Sequence, residues 1–192
     1  MKKYFFIGLI TVMLFTLVMA NSCAYADEKN ADSSAALSDS SDSYSSTNIR
    51  EYQLKKMVIS RVLGERNSPL TPNAESFVKA AIKYDIDPYL LPSISWLESS
   101  LGKRLIRESN NPFGYGGGLI FWKDFDEGIE VVSKALRNRY YNRGAKTIYD
   151  VGRIYAASPT WAIRVEKFMN HFYNEESKLL KIQDIVSDIE ES

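Results

Sequence analysis

The chain has 192 residues, with 24 basic and 24 acidic side chains, one cysteine and one histidine. A single histidine falls short of a His-based metal cluster, and no metal and no cofactor is expected. If the segment that holds Cys23 is removed, disulfides and thiolate metal sites are excluded too, and stability must rest on an ordinary apolar core.

Lys2 and Lys3 precede an almost unbroken apolar run from Tyr4 to Ala20, and Ala24-Tyr25-Ala26 follows. That order predicts a signal peptide over 1–26, cleaved after Ala26. The alternative is an uncleaved membrane anchor, although the run is slightly short of the about 20 apolar residues that a span needs. Lipidation of Cys23 is a third reading, but Ala20-Asn21-Ser22 lacks the large aliphatic residue usual upstream of a lipidated cysteine. Residues 27–48 contain eight serines and few large apolar groups. Such a segment cannot offset its ordering entropy and reads as a disordered linker. Residues 49–176 turn aromatic and aliphatic and are long enough for one domain with a single core. The tail, 177–192, carries Leu179, Leu180, Ile182, Ile185 and Ile189 at loose helical spacing, as a short helix or a frayed end. The expected location is secreted or cell-surface, which disfavours nucleic acid as a partner.

Helix signals dominate the domain. Leu54, Met57, Val58 and Val62 mark a first helix from Ile49 to Leu63, with Gly64 as its stop. Thr71-Pro72 reads as a cap and first helical position for a second helix, packing Phe77, Ala80, Ala81 and Tyr84. Asp87-Pro88 repeats that signal and opens a third. Asp124 and Glu127 resemble a capping box, starting a helix that runs through Val132, Leu136 and Tyr140 to Gly144. Thr147 with Asp150 starts another, and Ser158-Pro159 the last, with Ala162, Val165, Phe168, Met169 and Phe172 inward. About six helices result. Between the third and fourth, Asn110 to Phe125 interleaves Gly114, Gly116, Gly117 and Gly118 with Phe113, Tyr115, Phe121 and Trp122. Glycines there imply turns and close backbone approach, and the segment is expected to be a short β-hairpin or an irregular lobe. The fold class is mainly α (α+β).

On a helical wheel over Pro88 to Leu101, the apolar residues Leu90, Leu91, Ile94, Leu97 and Leu101 share one arc, and Glu98 falls inside it. A glutamate is rarely fully buried without a partner. One reading is a structural ion pair with Arg104, Arg107 or a remote arginine. The other is that apolar walls raise its pKa from about 4.3 toward about 6, so that it donates a proton to a departing glycosidic oxygen.

Asp87-Pro88-x-Leu90-Leu91 followed by Glu98-Ser99 resembles the catalytic helix of the lysozyme-like superfamily, which lytic transglycosylases share. Asn110-Asn111-Pro112-Phe113-Gly114 resembles the Asn-Leu-Phe-Gly segment of the bacterial endo-β-N-acetylglucosaminidase family, which includes autolysins and flagellar peptidoglycan hydrolases. Tyr155-Ala156-Ala157-Ser158-Pro159-x-Trp161-Ala162 resembles that family's Tyr-Ala-Thr-Asp-Pro-x-Tyr-Ala segment, with Val165 where the family has Lys-Val. The three matches occur in the family's order and span about Asp85 to Phe172. The sequence departs from the pattern where Ser100 and Leu101 replace the glycine and aromatic after the glutamate, Pro112 an aliphatic residue, and Trp161 a tyrosine.

The resemblance implies a lysozyme-like helical domain that hydrolyses peptidoglycan, with Glu98 as acid and Tyr155 beside the cleaved bond. It also implies a cleft between the helices and a small lobe at 111–122, where Asn111, Phe113, Gly114, Tyr115 and Trp122 are the expected substrate contacts. Tyr115 and Trp122 are the expected sugar-stacking rings, because loops on a rigid frame commonly carry binding. Trp96 reads as a sugar-stacking ring or a second core surface, Trp161 as core. A second carboxylate has no motif to carry it over. Glu108 leads, since Asp124 and Asp126 have competing roles at a helix start. Hydrolysis by two carboxylates, participation of the substrate's acetamido group, and attack by the sugar's own 6-hydroxyl all remain open, as does a non-catalytic wall-binding or scaffold domain. The expected partner is a peptidoglycan glycan strand, met by a monomer. A basic run of Lys134, Arg137, Arg139, Arg143, Lys146 and Arg153, opposed by Asp150, suits such an anionic wall.

Overall fold

The computed structural model describes residues 41–155 and 158–190. The expected signal peptide, anchor, Cys23 lipidation and most of the linker lie outside the described residues. The chain divides into two units, Met1–Asn48 and Ile49–Ser192. The second is helical, and no strand occurs among the described residues.

Among the described residues six α-helices follow in order: α1 (Ser41–Glu65), α2 (Ala74–Tyr84), α3 (Leu90–Ser99), α4 (Phe125–Arg139), α5 (Ile148–Tyr155) and α6 (Trp161–Glu190). Short 3₁₀ turns lie at Thr71–Asn73, Tyr115–Gly118 and Tyr141–Arg143. The apolar stripes meet in one core. Val58, Ile59, Val62 and Leu63 come from α1, Phe77 and Val78 from α2, and Leu90, Leu91 and Ile94 from α3. Ile129, Val132 and Leu136 of α4, Val151 of α5, and Val165 and Phe172 of α6 complete it. Helix α2 packs on α4, and α6 packs on both α3 and α5.

The local start signals work as their chemistry requires. Asp124 accepts from the Glu127 N–H at 2.9 Å, and the Glu127 carboxylate accepts from the Lys123 N–H at 2.7 Å. The Glu127 N–H is an orphan donor at the head of α4, and the return bond reaches one residue further back than in a capping box, to the residue before the cap. Thr147 and Asp150 exchange hydrogen bonds in the same reciprocal way ahead of α5. Asp87 accepts from the Tyr89 N–H at 2.8 Å ahead of α3. Pro92 falls in the first turn of α3, where no i−4 bond is due, so no kink is needed.

Several expectations are corrected. Helix α1 begins at Ser41, so residues 41–48 of the stretch read as linker are helical. Thr71 is not a cap: its hydroxyl donates to the Ser68 carbonyl and a 3₁₀ turn intervenes before α2. Helix α4 ends at Arg139, short of Gly144. The tail is not a separate piece, because α6 runs unbroken through 176/177. Glu176 itself accepts from Lys55 and Tyr89 at 2.7 and 3.1 Å. The glycine-rich stretch is the irregular lobe and not a hairpin. Gly114, Gly116, Gly117 and Gly118 all have φ between +60° and +79°, which turns the chain at every step and prevents extended pairing.

Candidate functional site

Helix α3 ends abruptly. Ser100 and Leu101 both take left-handed backbone (φ 54° and 63°), and their N–H groups return to the carbonyls of Trp96 and Ser95 at 3.1 and 3.0 Å. Ser99 is buried at this bend. Its hydroxyl lies 2.9 Å from the Ser95 carbonyl and 2.7 Å from the Pro112 carbonyl, and it accepts from the Gly102 N–H at 2.8 Å. One hydroxyl therefore ties the last turn of α3 to the chain at 112–114. Glu98 sits next to that tie.

Around Glu98 three parts of the chain converge. The Trp161 indole N–H, at the first residue of α6, donates to Glu98 Oε1 at 2.9 Å. On the other side is Gly114: a Cβ placed there would lie 3.2 Å from Oε2. With φ of +60°, Gly114 supplies both a left-handed turn and a close backbone approach that only glycine accommodates without strain. Tyr155, the last residue of α5, stacks on Trp161 (4.8 Å between centroids, 29° between planes) and donates its hydroxyl to the Phe113 carbonyl at 3.1 Å. Desolvation first, and then the charge of Glu98, hold the Tyr155 hydroxyl well above the ordinary phenol value, so it stays a neutral donor. Glu98, Trp161, Tyr155 and the Phe113–Gly114 turn thus close a ring of contacts.

Two features of this corner differ from the sequence reading. Glu98 is exposed rather than walled in by the apolar arc of α3. It lies in the last turn, and the chain bends away at Ser100 before anything covers it. It is not locked to an arginine either, since its hydrogen bond comes from an indole. The second feature is Trp161. It is core, with 4 % of its surface exposed, yet its polar edge reaches the acid. The clue in the sequence was the tryptophan's need for a partner for its N–H when buried.

The lobe residues are placed differently from expectation. Asn111 is a latch: its amide donates to the carbonyls of Tyr115 and Ile120 at 2.8 and 3.1 Å, and its oxygen accepts from the Tyr115 N–H at 3.1 Å. With every arm of the amide engaged and 4 % exposure, it offers nothing to a sugar. Phe113 is fully buried, edge-on to Phe77. Tyr115 and Trp122 stack on one another inside the lobe, and Trp122 lies flat on α4 over Gly128. Their faces are used by the fold, so they are not stacking platforms. Phe121 is the exposed ring of the lobe. Trp96 is likewise filled on both faces, by Phe168 and by the Arg66 guanidinium at 4.2 Å.

Glu108 projects into solvent, with 81 % of its side chain exposed and Arg107 as its ionic partner at 3.5 Å. Its backbone, at φ +63°, serves the turn into the lobe. No contact brings it to Glu98. Asp126 accepts from Asn73 at 2.7 Å, and Asp124 caps α4. In the basic run, Arg137 pairs with Asp85 and Arg153 with Asp150, while Arg143 and Lys146 stay exposed. Among the described residues no group of His, Cys, Asp and Glu is arranged to hold a metal, and no helix is long and apolar enough to cross a membrane. No family model matches the chain, and no curated protein matches it either.

Proposed function

We propose that the chain is an exported peptidoglycan hydrolase that cleaves β-1,4 bonds of the cell-wall glycan, of the N-acetylglucosaminidase type, with Glu98 as general acid on a lysozyme-like domain. One observation carries this reading. Glu98 is a solvent-open carboxylate oriented on one oxygen by a buried indole, with its other oxygen beside a glycine. A structural glutamate in this protein looks different: Glu176 has its oxygens taken by Lys55 and Tyr89. The backbone supports the resemblance as well. Ser100 takes the left-handed conformation that suits the glycine of the motif, and the Asn111–Gly114 and Tyr155–Trp161 segments both reach Glu98 or each other.

In this reading the acid gives its proton to the departing glycosidic oxygen as the C1–O bond breaks and its electron pair stays on that oxygen. Water adds to C1, and the proton it sheds returns to the carboxylate. General acid catalysis of this kind contributes about 10²–10⁴ in rate. A second reading has specific support. Glu108, Asp124 and Asp126 are each engaged elsewhere, which favours chemistry with one protein carboxylate, by the acetamido group or by the 6-hydroxyl to an anhydro product.

A zymogram on purified peptidoglycan with the wild type and Glu98→Gln decides between cutting and binding. The expected result is clearing by the wild type and a loss of at least about 10²-fold in the variant. Clearing by both removes Glu98 from its role, and clearing by neither leaves the binding domain. Mass spectrometry of the fragments reads the bond cut and whether the ends are anhydro. The protein is expected to be a monomer on a glycan strand, outside the cytoplasm, without a cofactor.

A further inference from the structure

An indole N–H donates and cannot accept. The one on Trp161 lies 2.9 Å from Glu98 Oε1, so a carboxyl proton on Oε1 would face another proton. Oε1 is thereby kept as an acceptor whether the acid is charged or neutral. The indole has no freedom to turn away. Its ring is stacked on Tyr155, which is itself fastened to the Phe113 carbonyl. Its edge packs against Gly152, where a Cβ would come within 3.2 Å of the ring. Oε2 points to the Gly114 side and takes no hydrogen bond from any described residue.

We propose that Trp161 is a positioning residue that assigns the transferable proton of Glu98 to Oε2, on the side of Gly114, and so fixes the face from which the glycan oxygen is protonated. This rests on the hydrolase reading and makes it more specific. The Oε2–H bond breaks as the new O–H forms on the departing oxygen. The proton shed by the attacking water returns to Oε2, because Oε1 stays with the indole. The substrate oxygen therefore approaches over the glycine, where a side chain at 114 would stand in its way.

The test uses the protein in its exported form. The ¹⁵N–¹H resonance of the Trp161 indole reads the hydrogen bond without reference to activity. It is expected downfield in the wild type and to move upfield in Glu98→Ala, where the acceptor is gone. Trp161→Phe keeps an aromatic ring against Tyr155 and removes the N–H. It is expected to lower kcat about 10–100-fold with KM changed less than about 2-fold. An indole resonance unchanged in Glu98→Ala, or a Trp161→Phe enzyme with unchanged kcat, overturns the proposal. If Trp161→Phe does not fold, the indole resonance decides alone. A wild type that cuts nothing while its indole resonance still responds to Glu98→Ala overturns the hydrolase reading, and the proton assignment falls with it.

Discussion

The glycine-rich lobe and the end of α3 touch at Gly114, and they treat their polar groups in opposite ways. In the lobe every arm of the Asn111 amide is bonded, and three of four aromatic rings are turned inward. At the end of α3 an acid keeps one oxygen unbonded among the described residues while its other is held by a buried ring. Satisfied polar groups rigidify a fold. A polar group that is oriented and left available has a different use. The contrast separates the residues that build the corner from the one that the corner presents.

That separation can be broken by substitution. Asn111→Ala is expected to have the largest effect on stability, about 2–4 kcal/mol, because it strands the buried carbonyl and N–H of Tyr115 and the half-buried carbonyl of Ile120. Chemical denaturation measures it, and Glu98→Gln, at an exposed position, should move the same midpoint by less than about 0.5 kcal/mol. Equal losses from the two would erase the distinction. Gly114→Ala comes next. It places a methyl 3.2 Å from Oε2 on left-handed backbone, and should cost about 1–2 kcal/mol of stability together with most of the turnover.

The pH dependence of stability sharpens the contrast from another side. His171 accepts from Arg66 at 3.1 Å and sits edge-on to Trp96. Desolvation and then the Arg66 charge hold its pKa below the ordinary 6.5, with Glu175 and Glu65 opposing and Lys178 adding to the effect. The unfolded chain then binds the proton more readily, so this contribution is complete above about pH 6.5 and is lost as pH falls below it. Thermal scans should show a loss of a few degrees over that interval, flattened in His171→Gln. A second loss follows only at lower pH, where Glu75 and Asp150, both held down to about 2, take up protons. The smallest effect is a gain. Ser100→Gly should stabilise by about 0.5–1 kcal/mol, since glycine adopts this left-handed turn without penalty.

What the sequence revealed follows from how local each signal is. The Asp124–Glu127 and Thr147–Asp150 boxes lie within four residues and were readable as written, and so were the apolar stripes that put six helices in place. The wheel could not give Glu98 its cover, because an angle says nothing about where the helix stops, and α3 stops at Ser99, directly after it. The rings of the lobe were misassigned for a related reason. With four glycines in left-handed turns, no periodicity links one residue's side to the next, so inward and outward could not be told apart. The Trp161–Glu98 bond joins residues 63 apart in the chain, and no pattern within a helix announces it.

The closed circuit of Glu98, Trp161, Tyr155 and the 113–114 turn has a consequence for how its members are measured. Each link is held in place by the next, so cutting one loosens the remainder. Pairs of substitutions among Trp161, Tyr155 and Gly114 should cost less than the two single costs combined, by about 0.5–3 kcal/mol. The quantity with physical meaning there belongs to the foursome, and ranking its members singly would assign the same energy more than once.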